Sequence, residues 1–270
     1  MYLSMQLVLS RKMRERILET IIATLEPKDF VLALWQGGSA AHGYTDEWSD
    51  LDIEVIVEDA RVEETFLFVE EALSTLSEIR LKWRVPEPTW HGHSQCFYQL
   101  EGVTPFLMID FVVMKLSNPN HFLEVERHGK PVIGFDKANL IVPATLNRSE
   151  HFSKMQERLT QLKISFDLSQ TLLKKEINRG RFIESVTNYH AWTLQPLIEL
   201  LNMVYRPYRY DFKAKYFSRD LPTDVVERVV PLYFVIDLVD LAKKQQLAEE
   251  FFAETLPRAE EVLQVLKTTD

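Results

Sequence analysis

One cysteine, Cys96, stands in a chain of 270 residues, so no disulfide can close within it. A compartment that keeps thiols reduced, the cytoplasm, is the simpler expectation. Glycine (8) and proline (12) are scarce, which excludes collagen-like and Pro/Gly-rich low-complexity classes. No apolar run reaches the roughly 18–20 residues that a membrane helix needs, so no membrane partner is expected. The opening stretch MYLSMQLVLSRKMRER is apolar for only about nine residues and has no leading basic region. It reads as the start of a helix, not as a signal peptide.

What is present describes a globular protein. Hydrophobic residues make up 46% and charged residues 26%, too apolar a mix for a disordered chain. The length exceeds the usual size of a single core, so one large or two medium domains are expected. Lys and Arg number 31 against 40 Asp and Glu, a net charge of −9. The whole acidic excess falls in residues 1–145; residues 146–270 are neutral. A basic face able to neutralise phosphates is missing from the first half, so a nucleic-acid partner is not expected. An acidic cleft suits divalent cations and cationic small molecules instead.

The patterning divides at the same place. Residues 6–24 put Leu7, Met13, Ile17 and Ile21 at helical spacing. FVLALWQ (30–36) is a buried strand that breaks at Gly37-Gly38, and LDIEVIV (51–57) alternates as a second strand. Residues 61–78 suit a helix; 81–85, 95–100 and 106–114 suit three more strands. The expected first domain, residues 1–145, is therefore an α/β (α+β) layer with a mixed sheet of about five strands. Past a linker-like PATLNRSE (143–150), helical spacing takes over in 151–177, 181–204, 222–246 and 247–267. An all-α bundle over residues 146–270 is expected.

The chemistry concentrates in Gly37-Gly38-Ser39 and Asp50-Leu51-Asp52. Two glycines after a buried strand let the backbone approach a ligand with no Cβ in the way. Ser39 then opens a short helix, whose N-terminal amides suit phosphate. Asp50 and Asp52, two apart on a strand, face the same side and repel unless a cation lies between them. Mg²⁺ shared with substrate phosphates is the commonest occupant of such a pair. Asp110 interrupts the apolar run 106–113, a costly place for a carboxylate that is not paired, hydrogen-bonded or metal-bound. If its strand lies beside Asp52, three carboxylates converge.

Taken together, Gly38-Ser39, Asp50-Leu51-Asp52 and the later Asp110 resemble the nucleotidyltransferase superfamily, with its polymerase-β-like fold. The helical second half is similar to the bundle that follows the catalytic domain in aminoglycoside and lincosamide nucleotidyltransferases. The resemblance implies that Asp50 and Asp52 hold Mg²⁺ against the phosphates of ATP or another nucleoside triphosphate. It implies that Gly37, Gly38 and Ser39 bind the outer phosphates. Asp110 becomes the third metal ligand, or the base that takes the proton of the acceptor hydroxyl. The acceptor it implies is a small molecule, aminoglycoside-like in the antibiotic enzymes. Two other readings share the fold: a nucleotidyltransferase that adenylylates a protein, and a silent nucleotide-binding regulatory module.

Three further stretches invite chemistry. His91-Gly92-His93 with Cys96 has zinc-like residue types but no fourth ligand, and follows Pro86 and Pro88; a solvated loop is expected. His190 reads as a bundle residue. The basic, aromatic segment 205–216 reads either as a phosphate clamp, with Lys213 and Lys215 reaching the triphosphate, or as a connector whose tyrosines pack under the bundle.

Overall fold

The computed structural model describes residues 2–268. The chain separates into two compact units, Met1–Leu146 and Asn147–Asp270.

In the first unit, helix α1 (Tyr2–Leu25) leads into strand β1 (Val31–Gln36), the one-turn helix α2 (Gly38–Ala41) and strand β2 (Leu51–Val57). Helix α3 (Val62–Leu76) follows, then β3 (Ile79–Arg84), β4 (Ser94–Leu100), β5 (Ile109–Lys115), the short α4 (Val125–His128) and β6 (Val132–Asp136). The strands form one mixed sheet in the order β3-β4-β5-β2-β1-β6. Only β2 and β5, the two central strands, run parallel; the other pairs are antiparallel. The sixth strand is the one that sequence patterning missed. Its run VIGFD is short, carries Gly134 and leaves Val132 and Ile133 exposed, so it shows no buried alternation.

The two faces of the sheet are unequal. Ile53, Val55, Cys96, Tyr98, Ile109, Phe111 and Val113 point to one side and pack with Ile17, Ile21 and Leu25 of α1 and Phe66, Val69 and Leu73 of α3. The opposite face carries the smaller cluster of Ala33, Trp35, Ile56, Val112 and Met114, covered by Leu123 and Ile141. Strand parity puts every acid of interest on this second face. Asp52 and Glu54 alternate with core-facing Leu51, Ile53 and Val55, and Asp110 alternates with Ile109 and Phe111.

The second unit is helical: α5 (Arg148–Asn178), α6 (Phe182–Tyr189), α7 (Gln195–Tyr205), α8 (Phe217–Asp220), α9 (Thr223–Val229) and α10 (Leu238–Thr268). Its core draws Phe152, Leu159 and Phe166 of α5, Leu197 and Leu201 of α7, and Leu241, Phe252 and Leu263 of α10. The helix expected over 181–204 is interrupted by one π turn, His190–Leu194. Pro196 explains it. A proline has no N–H for the carbonyl four residues back, that of Trp192, and the ladder must widen. The carbonyl freed in this way accepts Gln170 Nε2 at 3.0 Å, and Gln170 is held in turn by Thr193 Oγ1 at 2.8 Å.

The final helices differ from the sequence expectation. Residues 222–246 do not form one helix, and no break occurs at 247. The helix α9 ends in a 3-10 turn at Val230–Tyr233, and α10 then runs unbroken through Pro257. Asp237 starts α10 by accepting the Asp240 N–H (2.8 Å), while Asp240 accepts the Ile236 N–H (2.9 Å). This reciprocal cap was written in the sequence as Asp-x-x-Asp.

Candidate active site

The site begins where β1 stops. Gly37 donates its N–H to the Asp52 carbonyl at 3.2 Å, extending the β1–β2 ladder by one rung. Gly38 sits at φ +50°, the left-handed region that favours glycine. The space a side chain would need there is taken by an acid. A Cβ at position 38 would lie 1.9 Å from Asp52 Oδ2, and one at position 37 would lie 2.3 Å from Glu54 Oε1. The glycine pair therefore lies directly against the Asp52 and Glu54 side chains.

Ser39 follows in the single turn of α2. Its Oγ is buried and makes no hydrogen bond among the described residues. A buried hydroxyl in that condition costs free energy unless a ligand satisfies it. The loop onward to the acids is fixed by an Asx turn: Asp46 Oδ1 accepts the Trp48 N–H (3.0 Å) and the Ser49 hydroxyl (2.7 Å). The Ser49 hydrogen bond is the main cause holding the Asp46 carboxyl below its ordinary range.

Asp52 and Asp110 are register partners across the parallel pair β2–β5, so the two carboxyl-bearing residues stand side by side on one face. Asp50 lies just before β2. Its carbonyl accepts Arg14 Nη2 at 2.6 Å, and the same guanidinium also bonds the Ser49 carbonyl. Among the described residues no three His, Cys, Asp or Glu groups form a ready-made metal cluster, so the three acids do not converge as a closed cage. A hard cation shared with phosphates does not require one: Mg²⁺ is commonly held by one or two carboxylates, with substrate oxygens and water completing its shell.

Sequence reasoning missed four residues here. Arg14, on α1, reaches the Asp motif; burial lowers its pKa, while Asp52, Asp50 and Asp46 act in the opposite direction. Nothing in its helical spacing marks it. Glu54 was detectable, because Asp50, Asp52 and Glu54 alternate and so share a face. Gln95 Nε2 donates to Asp110 Oδ1 at 2.7 Å, and His91 Nε2 lies 3.3 Å from Gln95 Oε1. Both become neighbours of Asp110 only through the β4–β5 register, which pairs Phe97 with Asp110 and Gln95 with Val112.

The His91–His93 segment also corrects the sequence reading. It is not a solvated loop: His93 is 2% exposed and stacks with His91 at 5.3 Å. Cys96 points to the opposite face, into the core with α1 and α3. Burial first, and then the neighbouring His91 and His121, push the His93 pKa down to about 4.

Lys213 and Lys215 belong to the second unit. Their carbonyls accept the buried Arg206 guanidinium, Nη2 to Lys213 at 2.7 Å and Nη1 to Lys215 at 2.6 Å. The main chain of the basic segment thus anchors an interior arginine. Lys213 also lines a pocket of about 490 Å³ with Arg158, His190, Gln195, Glu199 and Tyr233.

The chain matches no family model and no curated protein. Solved structures similar to it include an aminoglycoside 6-adenyltransferase from Bacillus subtilis, 12% identical over 93% of this chain and 91% of that one, with a TM-score of 0.39. A spectinomycin adenyltransferase from Enterococcus faecialis, solved with ATP and spectinomycin, is 12% identical over 94% and 98%, with a TM-score of 0.34. A STING-associated CdnE c-di-GMP synthase from Capnocytophaga granulosa is 14% identical over 99% and 83%, with a TM-score of 0.32. All three are nucleotidyltransferases. The likeness is loose, and the chemistry of the site is set by this chain's own residues.

Proposed function

We propose that the protein is a Mg²⁺-dependent nucleotidyltransferase that moves a nucleoside monophosphate, AMP from ATP, to a hydroxyl of a small cationic molecule of the aminoglycoside kind. The observation that carries this reading is the register pairing of Asp52 with Asp110 on one face, closed at its edge by the Gly37-Gly38 turn. The donor set is all carboxylate oxygen, which suits a hard divalent cation and not zinc.

In this reading Asp50 and Asp52 hold the metal, and Asp110 is either a further ligand or the base for the acceptor hydroxyl. The metal, when bound, neutralises charge at the α-phosphorus and on the departing pyrophosphate. The Ser39 hydroxyl, buried without a partner, offers its proton to an outer phosphate oxygen. Arg14 grips the Ser49 and Asp50 carbonyls and so fixes the main chain that carries the first acid. Asp110 accepts from Gln95, which keeps one carboxylate oxygen in place. Positioning and electrostatics supply most of the rate in such transfers, so small displacements of these groups are costly. The acidic excess of the first unit favours a cationic acceptor.

The test is turnover of ATP, GTP, CTP and UTP with Mg²⁺ against a panel of aminoglycosides and lincosamides, read as pyrophosphate release. Release that requires both Mg²⁺ and an acceptor supports the reading. No acceptor-dependent release with any nucleotide would overturn it.

A further inference from the structure

Asp110 is not held by its strand alone. Gln95 Nε2 donates to Asp110 Oδ1 at 2.7 Å, and the other end of the same amide, Oε1, lies 3.3 Å from His91 Nε2. The backbone N–H of His93, a donor that cannot reverse, points at His91 Nδ1 at 3.1 Å. Nδ1 is therefore the acceptor and carries no proton. A neutral imidazole then bears its proton on Nε2 and donates it to Gln95 Oε1. That fixes the Gln95 amide in turn, since its oxygen is claimed by the histidine and its NH₂ faces the carboxylate. Burial lowers the pKa of His91, in keeping with a neutral ring.

We infer that Gln95 is the positioning residue for Asp110 and that His91, in its Nε2–H form, orients Gln95 from behind. The inference rests on the nucleotidyl-transfer reading only for its consequence on rate. The hydrogen-bond chain stands on geometry. Its logic is that of the partners behind metal-ligating groups, which fix ligand orientation and basicity from one bond further out. A carboxylate that must serve as ligand or base has to present one oxygen in a set direction. A strand residue with two free side-chain torsions does not guarantee that. The Gln95 amide removes that freedom by holding Oδ1, and its own oxygen meets the ring of His91, which stacks on the buried His93 at 5.3 Å.

Thr89 supplies the alternative that the experiment must exclude. Its hydroxyl donates to the His93 carbonyl at 2.6 Å and lies 3.3 Å from His91 Nδ1. A proton on Nδ1 would go to Thr89, leave Nε2 bare against Gln95, and turn the amide so that its oxygen met the Asp110 carboxylate.

Long-range ¹H–¹⁵N NMR of the intact, metal-free protein near neutral pH separates protonated from bare ring nitrogens. The expected spectrum shows His91 with a protonated Nε2 and a bare Nδ1. The expected Gln95 side-chain amide signal is displaced and slow to exchange, and it loses both features in Asp110→Asn and in His91→Phe. A neutral His91 protonated on Nδ1, or a Gln95 signal indifferent to both substitutions, would overturn the inference even if the enzyme is active. In turnover, Gln95→Met keeps side-chain length and should lower kcat by about 10- to 100-fold with the KM for ATP nearly unchanged. His91→Phe should lower kcat in the parent protein and have no further effect in the Gln95→Met background. Additive losses, or a normal kcat in Gln95→Met, would also overturn it. A parent protein that transfers no nucleotide would instead sink the functional reading, and the spectra would still decide the chain.

Discussion

Asp52 and Gly38 are a single structural unit at the scale of residues. A β-branched side chain at 38 would need the left-handed backbone and would overlap Asp52 Oδ2, which a Cβ alone approaches to 1.9 Å. Gly38→Val is therefore expected to destabilise the first unit by at least about 2 kcal/mol, since backbone strain alone costs of order 1–3. Urea unfolding measures this directly. A folded, equally stable Gly38→Val protein would contradict the packing described. His93 gives a second expectation. Its imidazole is neutral in the fold, with a pKa near 4, against about 6.5 in an unfolded chain. The unfolded state binds more protons between those values, so the contribution is complete above pH 6.5 and is lost as pH falls to about 4. The loss amounts to about 3 kcal/mol from this group. His93→Phe should flatten the pH dependence of stability over that window, as seen by denaturant unfolding at stepped pH. The acids were legible at this scale because Asp-x-Asp beside a glycine turn is a local pattern. Gln95 and His91 were not, because their closeness to Asp110 depends on how β4 pairs with β5.

Elements explain the rest of what the sequence did and did not disclose. Four strands with buried alternation or continuous apolar runs, β1, β2, β4 and β5, were legible to within a few residues, and so was the mostly exposed β3, around which Leu81, Trp83 and Val85 alternate in the sequence. The sixth was not, because β6 is only five residues long, has no apolar alternation and is interrupted by Gly134. In the second unit, Pro196 announced the π turn and Asp237 the start of α10, but both signals sit inside apolar periodicity that reads as uninterrupted helix. The segment after α7 shows the same dependence on tertiary context. Arg206 is 8% exposed and binds Asn202 Oδ1, the carbonyls of Lys213 and Lys215, and Asp220 Oδ2 at 3.2 Å. Truncating Arg206 removes the donor from Asn202 Oδ1 and the Lys215 carbonyl, while Asp220 keeps Arg209 at 3.6 Å and Arg219 at 2.9 Å, so the cost is that of unsatisfied buried acceptors, about 1–3 kcal/mol. Arg206→Ala should destabilise the helical unit by about that much. Arg206→Lys should recover only part of it, because an ammonium cannot span the four acceptors that the planar guanidinium reaches. Circular dichroism during urea unfolding reports both.

The whole molecule is built on separate cores. The two clusters on the sheet draw all their residues from the first unit, and the helical cluster draws all of its residues from the second. A fragment spanning 147–270 is therefore expected to fold alone with a cooperative helical transition, whereas a non-cooperative melt would show that its core is incomplete. The acidic excess lies wholly in the first unit, as does the face carrying Asp52 and Asp110. Transfer of the α-phosphoryl group with its nucleoside is distinguished from γ-phosphoryl transfer by the position of an isotopic label in ATP. Purified protein is incubated with Mg²⁺, a cationic acceptor, and ATP labelled at either the α- or the γ-phosphate. The expected result is α-label on the acceptor and γ-label in pyrophosphate, with both products reduced on the order of a hundredfold or more in Asp52→Asn. Label passing from the γ-phosphate to the acceptor, or α-label transfer that survives Asp52→Asn, would contradict it.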